Sequence, residues 1–199
     1  MPEWEKLLSA QVIFQSHFPE AVLVGGAEIL AEIEREAGWK TNKLEPPVLI
    51  LGNFQGVRTG IRQLIRKRPL ETTVVRGLRI PTIEEILRIK AYLIVRRNTT
   101  RDFVDFVALF DHLGFEKSLD ALSTLDDLYP QEGEELLSRQ LAIQLAEPKP
   151  WDLIQTNLSH YKALKKPYTD WNEVKRRSGA IGLRILESLL SFKNTPPMK

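Results

Sequence analysis

The sequence predicts an α+β protein, in which a small, mixed and mostly antiparallel sheet with helices is followed by a helical C-terminal half. Short apolar runs separated by Gly, Pro and Asn turns fill the first 80 residues, a pattern typical of strands joined in hairpins. Beyond them, apolar residues recur every three or four positions, which is typical of helices. We therefore predict two parts, 1–80 and 81–199.

The composition excludes several kinds of site. The 199 residues are enough for one sizeable domain or two small ones. Because the chain has no cysteine, disulfides, thiolate metal sites and cysteine nucleophiles are excluded. The three histidines, His17, His112 and His160, lie far apart in sequence, so we assign no metal ligands.

The N-terminus and the hydropathy pattern bear on localisation. The first residues carry charge and lack the apolar run of a signal peptide. No apolar stretch approaches the length that crosses a bilayer. We therefore expect a cytoplasmic protein without a membrane partner.

In the first part, one glycine pair stands out. The apolar run AVLV, which we predict to be a strand, leads directly into Gly25 and Gly26. Glycines at such a turn allow positive φ angles and let the backbone approach a ligand closely, although they suit any sharp strand exit equally well. The remaining predicted elements of this part are helices over 2–17 and 28–37 and strands over 40–44, 48–51, 57–65, 72–75 and 78–80.

In the second part, two consecutive helices carry clear boundary signals. Thr82 and Glu85 have the spacing of a capping box, and Thr99 or Thr100 begins the next helix. Gly114 is placed to end it. Further helices are predicted over 118–128, 131–146, 151–164 and 170–192.

Charged residues converge where these two helices meet. The group consists of one lysine, three arginines and two aspartates: Lys90, Arg96, Arg97, Arg101, Asp102 and Asp105. One interpretation is a solvated, charge-paired helix connection. The other is a phosphate-handling corner, because guanidinium forks match phosphate oxygens.

The surrounding stretch is strongly basic. Residues 58–101 contain twelve Lys and Arg against three Glu, a local excess of nine positive charges, whereas the whole chain carries +2. Such a stretch attracts RNA, nucleotide or other polyanions. The alternative is an ordinary basic surface, whose positive charge is offset by acidic helices elsewhere in the chain.

Residues 22–113 resemble a known family. The order AVLVGG, helix, hairpin and IPTIEEILRIKAYLIVRRNTTRDFVDFVALF is similar to nucleotidyltransferase-fold proteins of the AbiEii/AbiGii toxin type. The resemblance implies transfer of a nucleotide to an RNA or protein acceptor, with Mg²⁺ and an NTP. It implies nucleotide binding by Gly25, Gly26, Lys90 and Arg101. Asp102 and Asp105 would orient the side chains of Lys90 and Arg101 without contacting the nucleotide. A protein antitoxin would be a partner.

The sequence departs from the family pattern at its metal site, and this leaves two explanations open. The family's Asp-x-Asp metal motif is absent, and Arg62 and Gln63 stand where its third carboxylate is expected. Either a segment is missing beside Gly26 and Ala27, or the protein is a non-catalytic module that binds RNA, nucleotide or a partner protein through its basic face. A third alternative is an interaction protein using four aromatic residues of the helical half: Trp151, Tyr161, Tyr168 and Trp171.

Overall fold

The computed structural model describes residues 37–45, 49–62, 66–131, 133, 135–161 and 164–193, with the isolated positions 5, 9, 12, 13, 15 and 16. It has the predicted α+β class, with two small antiparallel sheets followed by helices. The chain separates into two compact units, Met1–Pro81 and Thr82–Lys199. The predicted strand over 21–24, the Gly25-Gly26 turn and nearly all of the helix over 28–37 lie outside the described residues.

A three-stranded meander forms the larger sheet. Strands β1 (Trp39–Glu45), β2 (Leu49–Phe54) and β3 (Val57–Arg62) pair in sequence order, all antiparallel. Gln55 and Gly56, with φ of +52° and +82°, join β2 to β3. Two positive φ angles in a two-residue loop match the right-handed twist of the strands, so this turn sets the register.

A separate hairpin forms the second sheet. Strands β4 (Thr72–Val75) and β5 (Leu78–Pro81) pair antiparallel around Arg76 and Gly77, whose φ angles are also positive. The predicted strands over 72–75 and 78–80 are confirmed.

The two helices of the charged junction are also confirmed. Helix α1 (Ile83–Arg97) begins at Thr82, whose hydroxyl accepts a hydrogen bond from the Glu85 backbone N–H at 3.1 Å. Helix α2 (Thr100–Leu113) ends at Gly114, which has φ +80° and donates its N–H to the Phe110 carbonyl. A positive φ suits a residue without a β-carbon, so the glycine stops this helix.

The segment predicted as one helix over 118–128 is two shorter ones. Helix α3 (Phe115–Leu122) and helix α4 (Leu125–Leu128) are separated by Ser123 and Thr124. The hydroxyl of Ser123 donates to the Asp120 carbonyl at 2.7 Å, and such local bonds compete with the helix ladder. The single-helix prediction is therefore wrong.

The next predicted helix starts later than expected. Helix α5 covers Leu137–Ala146 rather than 131–146. Asp126 on α4 accepts hydrogen bonds from the Ser138 backbone N–H and hydroxyl at 2.8 and 2.6 Å. Because these bonds satisfy a donor of the first turn, the helix begins where this distant carboxylate lies.

The helix predicted over 151–164 is absent from the described residues of that range, which form two short 3₁₀ turns, Leu153–Gln155 and Leu158–His160. Asn157 accepts a bond from the Ser159 backbone N–H, so side chains satisfy backbone groups that a helix would use. The last helix, α6 (Trp171–Lys193), matches its prediction.

The helical unit has its core between these helices. Leu87, Ile94, Phe103, Phe106, Leu141 and Leu145 are fully buried. Helices α5 and α6 approach closely at Gly182, which presents no side chain to the α5 backbone. In the described part of the chain, no helix combines the length and apolar character needed to cross a membrane.

Candidate functional site

The α1–α2 junction brings together the lysine and aspartates singled out in the sequence. Lys90 Nζ lies 3.1 Å from Asp102 Oδ1 and 2.7 Å from Asp105 Oδ2. Asp102 is only 1% exposed. A buried carboxylate is stable when an opposite charge and hydrogen bonds compensate its desolvation, and Lys90 supplies that charge.

The arginines of the junction pair more weakly. Arg97 Nε lies 3.6 Å from Asp102 and Arg101 Nε lies 3.7 Å from Asp105, and both arginine side chains are substantially exposed. Arg96 lies over the Tyr92 ring, with its guanidinium carbon 5.8 Å from the centroid. Lys90 is therefore held in internal ion pairs, whereas the arginine side chains are largely exposed to solvent.

The start of α2 is capped from far along the chain. The hydroxyl of Thr99 donates to Asp102 Oδ2 at 2.7 Å, so it does not cap the helix. Instead Asp152 Oδ1 accepts from the Thr100 backbone N–H and hydroxyl at 2.7 and 2.8 Å. These contacts favour the charge-paired interpretation of the junction.

Other predicted site residues are placed differently. Gly25 and Gly26 lie outside the described residues, so no grouping with Lys90 is seen. The basic stretch is partly internal, because buried Arg88 pairs with Glu85 at 3.0 Å and donates to the Ala121 carbonyl at 2.8 Å. Among the residues that the structure describes, no cluster of His, Cys, Asp or Glu is suited to a metal ion.

A cavity that sequence reasoning missed lies where α2, α3 and α6 meet. Its volume is about 350 Å³, within the size range of small-molecule sites. Its apolar lining comes from Phe110, Phe115, Ala180 and Ile181. Three arginines of α6 complete the lining: Arg176, Arg177 and Arg184.

Two carboxylates hold the first two arginines of the cavity. Glu173 accepts from Arg176 at 2.7 and 2.9 Å and from Arg177 at 2.8 Å. Arg177 also donates to Asp111 Oδ2 at 2.7 Å. Hydrogen bonds from Arg176 and then Arg177 lower the pKa of Glu173 to about 2.

Tyr168 adds a neutral donor to the same network. Its hydroxyl donates to Asp111 Oδ2 at 3.0 Å. Burial raises the pKa of Tyr168, and the hydrogen bond to Asp111 raises it further. The tyrosine therefore stays protonated across the physiological range and keeps Asp111 oriented toward Arg177.

Arg184 differs from the other two arginines of the cavity. Its guanidinium carbon lies 4.1 Å from the centroid of the Phe115 ring. Within the described residues, no carboxylate comes within ion-pair distance of it. Three guanidinium groups against Glu173 and Asp111 leave one net positive charge, which lies at Arg184. The cavity thus combines an apolar lining with an available planar cation.

The sequence did carry part of this signal. Arg176, Ala180 and Arg184 are spaced by four, which places them on one face of a helix. Their apolar counterparts, Phe110 and Phe115, approach only through packing between helices, and no local pattern indicates that.

Curated relatives of this chain share the name MmpL11. The heme uptake protein MmpL11 of Mycobacterium tuberculosis is 35% identical over 129 residues, covering 61% of this chain and 13% of that protein. The mycolic acid-containing lipids exporter MmpL11 of Mycolicibacterium smegmatis is 34% identical over the same length, with the same coverage. The probable transport protein MmpL11 of Mycobacterium leprae is 30% identical over 129 residues, which is 12% of that protein. This chain is thus similar to a small fraction of each transport protein.

This likeness contradicts the nucleotidyltransferase resemblance. No family model and no solved structure matches the chain. The expected nucleotidyltransferase and toxin–antitoxin functions, and the non-catalytic module on the same fold, are therefore wrong. The short motif around Lys90 and Asp102 misled because a charge-paired helix junction and a phosphate site need the same residue types. No finding tests the nucleotide-binding roles of Gly25, Gly26, Lys90 and Arg101 or the orienting roles of Asp102 and Asp105, which stay predictions.

Several expectations remain untested predictions. These are the Mg²⁺ and NTP requirement, the RNA and antitoxin partners, and the cytoplasmic location. The positions beside Gly26 and Ala27, where a missing segment was considered, lie outside the described residues. Of the four aromatic residues considered as a patch, Trp151 is 67% exposed and the other three are half-buried, with Trp171 edge-on against Phe103.

Proposed function

We propose that this chain works as part of a transport protein of the MmpL11 kind, and that its helical unit holds the anionic end of an amphipathic transported molecule. The likeness to MmpL11 proteins supports the transport role. The cavity beside Arg184 supports the ligand class, and it is the single observation that carries the proposal.

The names of the relatives point to cargo of one general chemistry. One is named for heme uptake and another for export of lipids that contain mycolic acid. Heme joins a large apolar ring to carboxylates, and lipids join apolar chains to polar ends. A site for such a molecule needs an apolar surface next to a group that recognises an anion.

The cavity provides both parts. Phe110 and Ile181 offer apolar surface, and the guanidinium of Arg184 is able to donate two parallel hydrogen bonds to a carboxylate. Phe115 under the guanidinium holds it flat, which lowers the entropy cost of binding. A volume of about 350 Å³ suits the charged end and the adjoining apolar segment of a larger molecule.

The neighbouring carboxylates narrow the ligand class. Glu173 and Asp111 neutralise Arg176 and Arg177, so the site has one net positive charge. One carboxylate group, with a single negative charge, would balance that net positive charge. A polyphosphate carries more negative charge than this single net positive charge can balance, which disfavours nucleotide at this site.

The experiment replaces one arginine in the native host. Cells would carry Arg184→Ala or, as a matched control, Arg139→Ala, an exposed arginine on α5. Heme uptake and the amount of exported mycolic acid-containing lipid would be measured. We expect Arg184→Ala to reduce one of these processes while Arg139→Ala leaves both unchanged. Unchanged transport in Arg184→Ala cells, with normal protein levels, would contradict the proposal.

A further inference from the structure

Two large apolar side chains stand in solvent on one short turn. Trp151 is 67% exposed and Ile154, three residues later, is 100% exposed. The first precedes and the second lies within the 3₁₀ turn Leu153–Gln155. We call this feature the Trp151–Ile154 tip. A side chain that is fully exposed contributes no packing to its own fold, so Ile154 has no structural role there.

The fold holds this tip firmly in place. Trp151 donates its backbone N–H to the Asn98 carbonyl at 3.2 Å and its indole N–H to the Arg97 carbonyl at 3.0 Å. Asp152 accepts two bonds from Thr100, at 2.7 and 2.8 Å. The Asn98 side chain donates to the Lys149 carbonyl at 2.9 Å. The apolar side chains are thus presented by an ordered support.

Cations of the α1–α2 junction lie near the tip, because the Arg97 carbonyl accepts the indole hydrogen bond and Thr100, which Asp152 holds, directly precedes Arg101. Arg97, whose carbonyl receives the indole N–H, has a side chain 44% exposed, and that of Arg101 is 64% exposed. Arg96 is exposed beside them, and the described part of the chain places no carboxylate within ion-pair distance of it. Lys90, Arg96, Arg97 and Arg101 bring four positive charges to the junction, and the carboxylates of Asp102 and Asp105 offset two of them. The outer side of the junction is therefore positive.

We propose that the Trp151–Ile154 tip, with Arg96, Arg97 and Arg101 near it, docks on an anionic lipid surface. A tryptophan with its indole N–H satisfied suits the boundary between headgroups and acyl chains, and a protruding isoleucine suits shallow insertion. Exposed arginines next to an inserted apolar point complement anionic headgroups. This proposal departs from the expectation of no membrane partner, and it is independent of the ligand proposed for the cavity.

A protein partner is the less favoured occupant. Apolar hot spots in protein interfaces lie at the centre of a larger patch that excludes water around them. Here the residues between the two apolar side chains include the charge of Asp152, and Ile154 projects beyond its neighbours. The protruding Trp151–Ile154 tip, with arginines near it, therefore suits a fluid lipid surface better than the surface of a rigid protein.

Vesicle co-sedimentation tests the proposal. The full chain would be mixed with vesicles of phosphatidylcholine containing phosphatidylglycerol, and with vesicles of phosphatidylcholine alone. The key variant is Ile154→Asp, which leaves every described hydrogen bond of the tip intact. Its control is Leu183→Asp, because Leu183 on α6 is 58% exposed. Circular dichroism would confirm that both variants fold.

We expect the wild type and Leu183→Asp to bind the anionic vesicles, and Ile154→Asp to bind them about tenfold more weakly. Arg96→Gln should weaken binding about fivefold, and added salt should weaken it further. Absence of vesicle binding by the wild type, or equal binding by Ile154→Asp, would overturn the proposal. Loss of a protein partner in Ile154→Asp, without vesicle binding by the wild type, would assign the tip to a protein interface instead.

Discussion

Gly182 on α6 lies so close to α5 that a β-carbon built on it would stand 2.6 Å from the backbone nitrogen of Ala146. The Ala142 carbonyl oxygen would be 2.7 Å away. Both neighbours are backbone atoms, which cannot rotate aside as a side chain can. A glycine at this position therefore permits the close approach of α5 and α6.

Gly182→Ala should lower the free energy of unfolding by about 1–3 kcal/mol, since overpacking forces the helices apart. The matched control is Gly179→Ala, one turn earlier, where a β-carbon would lie 3.5 Å from the Ala146 carbonyl. There the better helix propensity of alanine should raise stability by up to about 1 kcal/mol. Urea denaturation of the two variants measures the difference, and equal stabilities would show that the helices are not limited by this contact.

Lys90→Met should destabilise the helical unit strongly. It leaves the carboxylate of Asp102, 1% exposed, without its closest cation. Removing one partner of a buried ion pair costs about 3–5 kcal/mol. Chemical denaturation followed by circular dichroism would measure the loss.

Arg101→Met is the control for that prediction. Arg101 lies 3.7 Å from Asp105 and its side chain is 64% exposed. An exposed pair at this distance contributes about 0–1 kcal/mol. If Arg101→Met destabilised the protein as much as Lys90→Met, the junction would depend on total charge rather than on the buried pair.

Asp152→Ala should loosen the start of α2. It removes the acceptor for the Thr100 backbone N–H and hydroxyl, both within 2.8 Å. Loss of such a cap costs about 1–2 kcal/mol. Asp152→Asn keeps an acceptor oxygen and should retain most of the stability. Hydrogen exchange at the Thr100 amide would report the change, and unaltered protection in Asp152→Ala would show that the cap is dispensable.

Stability should fall in acid through Glu173. Its pKa is lowered from 4.5 to about 2 in the folded protein, through hydrogen bonds with Arg176 and Arg177. A carboxylate with a lowered folded pKa contributes stability above its unfolded pKa and loses that contribution as pH falls toward the folded value. The window is therefore pH 4.5 to about 2.

Glu173→Gln should flatten the decrease in melting temperature across that window. The variant keeps the size of the side chain but has no carboxylate to protonate. Glu116→Gln, which replaces an exposed glutamate of α3, should decline with pH as the wild type does. The same slope in Glu173→Gln as in the wild type would show that other groups cause the acid sensitivity.

The sequence was most informative where local chemistry decides structure. Thr82 and Gly114 bound the α1–α2 pair through their own backbone geometry, so both positions were predictable. The start of α5 was not, because its capping carboxylate, Asp126, belongs to another helix. The turns after Trp151 escaped prediction for a similar reason, since Asp152 is bonded to Thr100, 52 positions away.

The candidate site shows the same division. The convergence of Lys90 with Asp102 and Asp105 follows from their spacing, but spacing does not tell a phosphate site from an internal ion pair. Burial of Asp102 favours the internal pair, and burial depends on tertiary packing. The cavity beside Arg184 requires Phe115 from another helix, so no stretch of sequence contains it.

Direct ligand binding tests the central claim most simply. A fluorescent fatty acid and heme would each be titrated into the wild-type chain, Arg184→Ala and Arg139→Ala. We predict saturable binding of at least one of them, weakened about tenfold or more by Arg184→Ala and unchanged by Arg139→Ala, because a charge-assisted pair is lost only in the first. No saturable binding of either probe, or equal affinity for all three proteins, would contradict the assignment of the cavity.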